Sequence, residues 1–145
     1  MTIITNNPNE TMILAQKIST YAFNNMIILL KGDLASGKTT FTKGFGLGLN
    51  INEMINSPTF TIINQYKGDY TLYHMDLYRL QEKVNIDIFD YLNDNQICII
   101  EWCQPLLNIL KEYLLIEFKY IDENTRELTF SYQGLQYEKI IKELI

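Results

Sequence analysis

The clearest chemistry in the chain lies in Gly32-Asp33-Leu34-Ala35-Ser36-Gly37-Lys38-Thr39-Thr40. The run fits Gly-x-x-x-x-Gly-Lys-Ser/Thr, the phosphate-binding P-loop. Gly32 and Gly37 let the backbone curl without a Cβ, so successive N–H groups can face one concavity. The amides of Asp33, Leu34, Ala35, Ser36, Gly37, Lys38, Thr39 and Thr40 would ring a chain of phosphates. Lys38 would reach the outer phosphates as a point charge, and Thr39 would place its hydroxyl on Mg²⁺. A following helix would add unpaired N–H groups and the positive end of its dipole.

A P-loop alone binds phosphates. Hydrolysis of ATP also needs acids near Mg²⁺ and water, usually at the carboxyl ends of strands beside the P-loop strand. Two acids stand in such places. Glu101 ends the apolar run Ile97-Cys98-Ile99-Ile100, where a buried acid needs a cation. Asp76 ends a second strand; by spacing alone it suits an N-cap as well as a catalytic acid. Thr59, beside Pro58 in a loop after the P-loop helix, is placed to sense the outermost phosphate, or is an ordinary turn residue. His74 reads as a hydrogen-bonded structural histidine. Trp102 suits either the rim of a nucleotide site or the core. Cys98, inside the apolar run, reads as buried and inert, and nothing around Cys103 activates it.

These side chains need a scaffold. Residues 26–30, all Met, Ile or Leu, predict a buried strand before the P-loop, and residues 39–49 a short helix after it. Upstream, residues 2–5 suggest a short strand. Asn7-Pro8-Asn9-Glu10 carries a cap, a proline at the first helical position and a capping-box acid, giving a helix to about residue 23. Gly46-Leu47-Gly48-Leu49-Asn50 reads as the frayed end of the P-loop helix. Residues 61–66 and 70–76 around the turn at 67–69 predict a hairpin. Residues 77–92 predict a helix, in one piece or two, and 96–100 a strand of the parallel, doubly buried kind. A short helix at 105–110, strands at 113–121 and 127–132, and a closing helix at 137–145 complete the chain. The alternation predicts a single α/β domain over residues 1–145. Its architecture would be a three-layer P-loop NTPase-like fold: a small, mixed, mostly parallel central sheet with helices on both faces.

With 145 residues, of which 47% are hydrophobic, the chain suffices for one domain with its own core. A net charge of −5 argues against a broad electrostatic footprint for nucleic acid. Two cysteines outside any Cys-x-x-Cys and a single histidine exclude the usual zinc clusters. No signal peptide and no membrane-spanning run is evident, so the expected setting is a reduced cytoplasm.

Four stretches in order then carry a resemblance: the P-loop through Phe41, Ser57-Pro58-Thr59-Phe60, His74-Met75-Asp76-Leu77-Tyr78-Arg79-Leu80, and Ile100-Glu101-Trp102. Together they resemble the TsaE (YjeE) family, from about residue 11 to residue 126. The resemblance implies a P-loop ATPase needed for threonylcarbamoyladenosine in tRNA. It would work with ATP and Mg²⁺, bind the TsaB–TsaD pair, and touch tRNA only through that complex. It implies Thr39 and Glu101 as Mg²⁺ ligands and Thr59 as a switch-loop threonine. Asp76 would be the catalytic acid, orienting water or partnering the metal from outside. Thr11 and Arg126 match positions near the nucleoside. Ala35 stands where the family usually has glycine, and Cys103 where a proline commonly follows the tryptophan. A small-molecule kinase would need a basic lid, yet the chain has only Arg79 and Arg126. A GTPase would need Asn-Lys-x-Asp, which does not occur. A nucleotide-binding scaffold without useful turnover differs from the ATPase only in rate.

Overall fold

The apolar run Met26–Leu30 has to be covered on both sides, and the sheet is built around it. The computed structural model describes residues 1–58, 61–77, 90, 95–102 and 106–145. In chain order the described elements are β1 (Thr2–Thr5), α1 (Pro8–Ser19), β2 (Met26–Lys31), α2 (Lys38–Gly48), β3 (Ile63–Lys67), β4 (Thr71–Asp76), β5 (Gln96–Glu101), β6 (Tyr113–Tyr120), β7 (Arg126–Gln133) and α3 (Leu135–Leu144). The strands form one seven-stranded sheet in the order β1-β7-β6-β2-β5-β4-β3. β6, β2, β5 and β4 are mutually parallel, while β3 and β7 run against their neighbours. The sheet is therefore mixed, with its parallel strands at the centre around β2, as the apolar runs at residues 26–30 and 96–100 require.

Side chains alternate across the sheet. Met26, Ile28 and Leu30 face α1, α2 and α3, in one cluster with Ile97, Ile99, Phe41, Phe45 and Tyr137. Ile27 and Leu29 face the other way with Met75, Cys98, Ile100, Leu106 and Leu110. Burial pushes the Cys98 thiol up to about 12, so it is inert, as expected. Tyr137 ties α3 to the P-loop strand: its hydroxyl accepts the Ile27 N–H at 2.8 Å.

Some element ends differ from expectation for local reasons. Asn7 caps α1 by accepting the Glu10 N–H, and Glu10 reaches back to the Asn6 N–H at 2.7 Å, one residue earlier than a capping box. The helix stops at Ser19 rather than near Phe23. Ser19 and Thr20 fold their hydroxyls onto the carbonyls of Gln16 and Lys17, and residues 20–22 bond to carbonyls three back, which tightens the chain out of the α-helix. α2 ends inside the stretch Gly46–Asn50, as expected. It continues through Gly48 and is ended by Asn50 at φ 60°, a left-handed stop of the kind asparagine tolerates. The glycines also serve packing. A Cβ on Gly44 would strike the backbone of Met12, 2.6 Å from its Cα, and one on Gly48 would strike Ser19, so α1 lies backbone-close on α2. β3 begins at Ile63 because Ile62, at φ 69°, turns the chain first. Leu106–Leu110 closes as a turn through Ile109 and Leu110 N–H bonds to the Leu106 carbonyl. The helix expected over residues 77–92 and the readings of Thr59 and Cys103 lie outside the described residues, apart from the ends of that helix.

Candidate functional site

β2 delivers its last apolar residue, Leu30, beside Glu101 of β5, and Glu101 lies beside Asp76 of β4. The register thus sets both acids at the ends of the strands next to the P-loop. A cavity of about 300 Å³ opens there, lined by Leu34 through Thr40, Ser57, Asp76, Glu101, Trp102 and Arg126.

The loop is wound tightly. A Cβ on Gly32 would lie 2.7 Å from Ser36 Oγ and 2.9 Å from the Phe118 carbonyl, so only glycine fits. Gly37, at φ 108°, starts α2 with no side-chain cap. The first helical turn closes with the Phe41 N–H on the Gly37 carbonyl, which leaves the N–H groups of Lys38, Thr39 and Thr40 without helical acceptors at the cavity wall. Ser36 Oγ is buried with no hydrogen-bond partner among the described residues. Ala35 sits at φ 62°, a left-handed conformation that strains any residue with a Cβ. Ala35→Gly is therefore expected to stabilise the fold by about 1 kcal/mol, read as a higher urea midpoint at unchanged slope.

The charged groups converge. Lys38, only 7% exposed, donates to the Gly32 carbonyl at 2.6 Å and stands 3.6 Å from Glu101 Oε1. The other Glu101 oxygen is 2.6 Å from His74 Nε2. Arg126 crosses from β7 to the loop: Nε donates to the Ser36 carbonyl at 3.1 Å and Nη2 to the Ala35 carbonyl at 3.2 Å. Its guanidinium lies over the Tyr120 ring, 4.4 Å from the centroid. Nη1 donates to the Asp122 carbonyl at 2.6 Å. The turn beneath is held by the Asn124 and Thr125 N–H groups, which keep the Asp122 carboxyl below the usual carboxylate range.

The structure thus brings Leu34, Ala35, Ser36, Gly37, Lys38, Thr39, Thr40, Asp76, Glu101 and Arg126 to one cavity. It does not bring Thr11 there. Thr11 is buried, with its hydroxyl 2.7 Å from that of Thr5. Asp33 shapes the loop through its carbonyl, which accepts the Ser36 N–H, and is absent from the cavity wall. Thr59 lies outside the described residues. Trp102, 43% exposed, is on the rim and not in the core. Sequence reading missed three contributions. The first is Arg126 as a brace on loop carbonyls, for which a lone arginine far along the chain gives no signal. The second is Ser57 in the wall. The third is the His74–Glu101 contact, which joins the interior of β4 to the end of β5 and depends on a strand pairing that spacing does not reveal.

Comparison with known proteins agrees with this geometry. The family model for the threonylcarbamoyl adenosine biosynthesis protein TsaE matches residues 5–128. The TsaE protein of Bacillus subtilis strain 168 is 41% identical over 141 residues, covering 95% of this chain and 89% of that protein. That of Aquifex aeolicus is 30% identical over 135 residues, covering 87% and 92%. The crystal structure of Bacillus subtilis YdiB superposes with a TM-score of 0.85 at 36% identity, over 99% of this chain and 93% of that one. With a family match across most of its length and a solved relative sharing its whole α/β, P-loop-bearing sheet, the chain belongs to the TsaE family.

Proposed function

We propose that this protein is an Mg²⁺-dependent ATPase of tRNA N6-threonylcarbamoyladenosine formation, and that its nucleotide state governs binding and resetting of the TsaB–TsaD pair in the cytoplasm. One observation carries the reading: Lys38, the α2 N-terminus, Glu101 and Asp76 line a single cavity. The residues fit the nucleotide and its cation. Ser36 Oγ is buried and unpartnered among the described residues, the loop admits no Cβ at Gly32, and Thr39 and Glu101 offer the oxygen donors that Mg²⁺ prefers. Bound Mg²⁺ would neutralise phosphate charge and polarise the phosphoryl oxygens.

The chain's own residues do the rest. Lys38 would leave the Gly32 carbonyl for the outer phosphates, while the loop amides hold the inner ones. The Asp76 carboxylate would accept a hydrogen bond from the attacking water, and so orient it, or hold the metal's water shell from outside. Arg126 holds the loop in shape before any ligand arrives, so binding does not have to order it. Contact with tRNA would come through TsaB–TsaD, in keeping with the acidic charge balance. No described helix is long and apolar enough to cross a membrane.

The test is ATP turnover and TsaB–TsaD binding with and without nucleotide and Mg²⁺. Asp76→Ala is expected to cut turnover about a hundredfold while nucleotide affinity holds. The reading fails if turnover and partner affinity ignore nucleotide, or if phosphate appears on an added small molecule and not in water.

A further inference from the structure

His74 is the one histidine of the chain and is completely buried. It shares a face of β4 with Asp76, two residues on. Its Nε2 lies 2.6 Å from Glu101 Oε2, while its Nδ1 has no partner among the described residues. Where Glu101 serves as an acceptor-only carboxylate, this contact requires the hydrogen on Nε2. A histidine kept for packing would satisfy both nitrogens, or be replaced by an apolar side chain like its neighbour Leu72. Here one nitrogen stays buried and unpaired among the described residues, and the other serves a single acid.

That acid is itself only 4% exposed. Its second oxygen, Oε1, faces the cavity, 3.6 Å from Lys38 Nζ. A glutamate at a strand end would keep rotation about its last bond. With Oε2 tied to His74, the carboxylate plane is fixed and Oε1 is directed at the phosphate-binding loop.

We propose that His74 is a positioning residue that aims Glu101 at the divalent cation beside the phosphates. This rests on the reading of Glu101 as a metal-binding acid in an ATPase. His74 touches neither nucleotide nor reacting atoms. Hydrogen-bond partners of this kind govern metal affinity more than nucleotide affinity.

Trp102, the one tryptophan, lines the cavity beside Glu101 and reports on it without turnover. Mg²⁺ is titrated into the ADP complex of the full chain while Trp102 emission is followed. His74→Leu is expected to raise the Mg²⁺ midpoint about tenfold or more, with ADP affinity in EDTA unchanged. His74→Gln keeps an N–H at the same bond count from the backbone and is expected to restore the midpoint to within about threefold of the native chain. A His74→Leu midpoint within about twofold of native, or an equal loss of Mg²⁺-free ADP affinity, overturns the proposal. If the native chain shows no Mg²⁺ response, the ATPase reading falls first and this inference with it. A native response that His74 variants leave intact removes this inference alone.

Should His74→Leu fail to fold, the native chain still decides. In ¹⁵N-histidine-labelled protein the single imidazole is expected as the Nε2–H tautomer, and its Nε2 resonance is expected to move when Mg²⁺ joins the ADP complex. An Nδ1–H tautomer or an unmoved resonance overturns the proposal.

Discussion

Lys38→Ala is expected to lower ATP affinity about a thousandfold, because two hydrogen bonds from a charged donor to phosphate, at about 2 kcal/mol each, are lost together. The lysine reaches the cavity from the first residue of α2 with little freedom, since it is nearly buried and already held by the Gly32 carbonyl. Its transfer from that carbonyl to phosphate exchanges one good acceptor for stronger, charged ones. The substitution also leaves Glu101 without its nearby cation, though the His74 contact remains. Calorimetric titration of ATP against both chains reads the effect, and an affinity within tenfold of native contradicts it. In cells depleted of this protein, Lys38→Ala is expected to leave tRNA without the threonylcarbamoyl group. Full rescue would separate nucleotide binding from the pathway role.

Gly44→Ala is expected to destabilise the fold by about 3 kcal/mol. The sign is the test. By helix propensity alone the change would stabilise α2 by about 1 kcal/mol. The added Cβ, however, meets the carbonyl and Cα of Met12 in α1, and backbone cannot swing aside as a side chain would. The two helices must separate, and α1 then loses contact for Ala15 and Ile18, both fully buried. A thermal midpoint lower by roughly 10 °C is expected for a chain of this size. An unchanged or higher midpoint would show that α1 can move off α2 at little cost.

Much of this was legible in the residues, for definite reasons. The P-loop and Glu101 announce themselves because each joins a polar cluster to an apolar strand, and burial leaves such a strand one place to go. Asp76 is ambiguous by spacing, since an acid after a strand also suits a helix cap; its register beside Glu101 adds a placement at the cavity that spacing does not give. The end of α2 at Gly48 was legible because glycine weakens a helix in isolation; that Gly44 and Gly48 also let α2 approach α1 closely depends on a second helix, which local pattern does not include. Ala35 stands where the family usually has glycine, and its φ of 62° is a conformation that glycine adopts without strain. Thr11 matches the family by position and lies in the first turn of α1, its hydroxyl on that of Thr5. Arg126 was expected near a nucleoside, yet most of its donors are occupied by main-chain carbonyls. A guanidinium's partners are set by three-dimensional approach, which single-sequence reading does not reach.

The Arg126 brace also has a consequence for biogenesis. The loop it grips lies 90 residues earlier in the chain, and its own backbone pairs on one side with Thr5 and on the other with Tyr120. A nascent chain released only as far as Glu101 would hold every phosphate-facing group described above, with nothing to clamp the loop that presents them. Contacts of such long sequence separation form late, after the entropy of closing the intervening chain has been overcome. Clamping of the loop is thereby coupled to translation of β7 and to capture of β1 by it. Under the proposed function, the clamped loop rather than its isolated segment is what a nucleotide would meet.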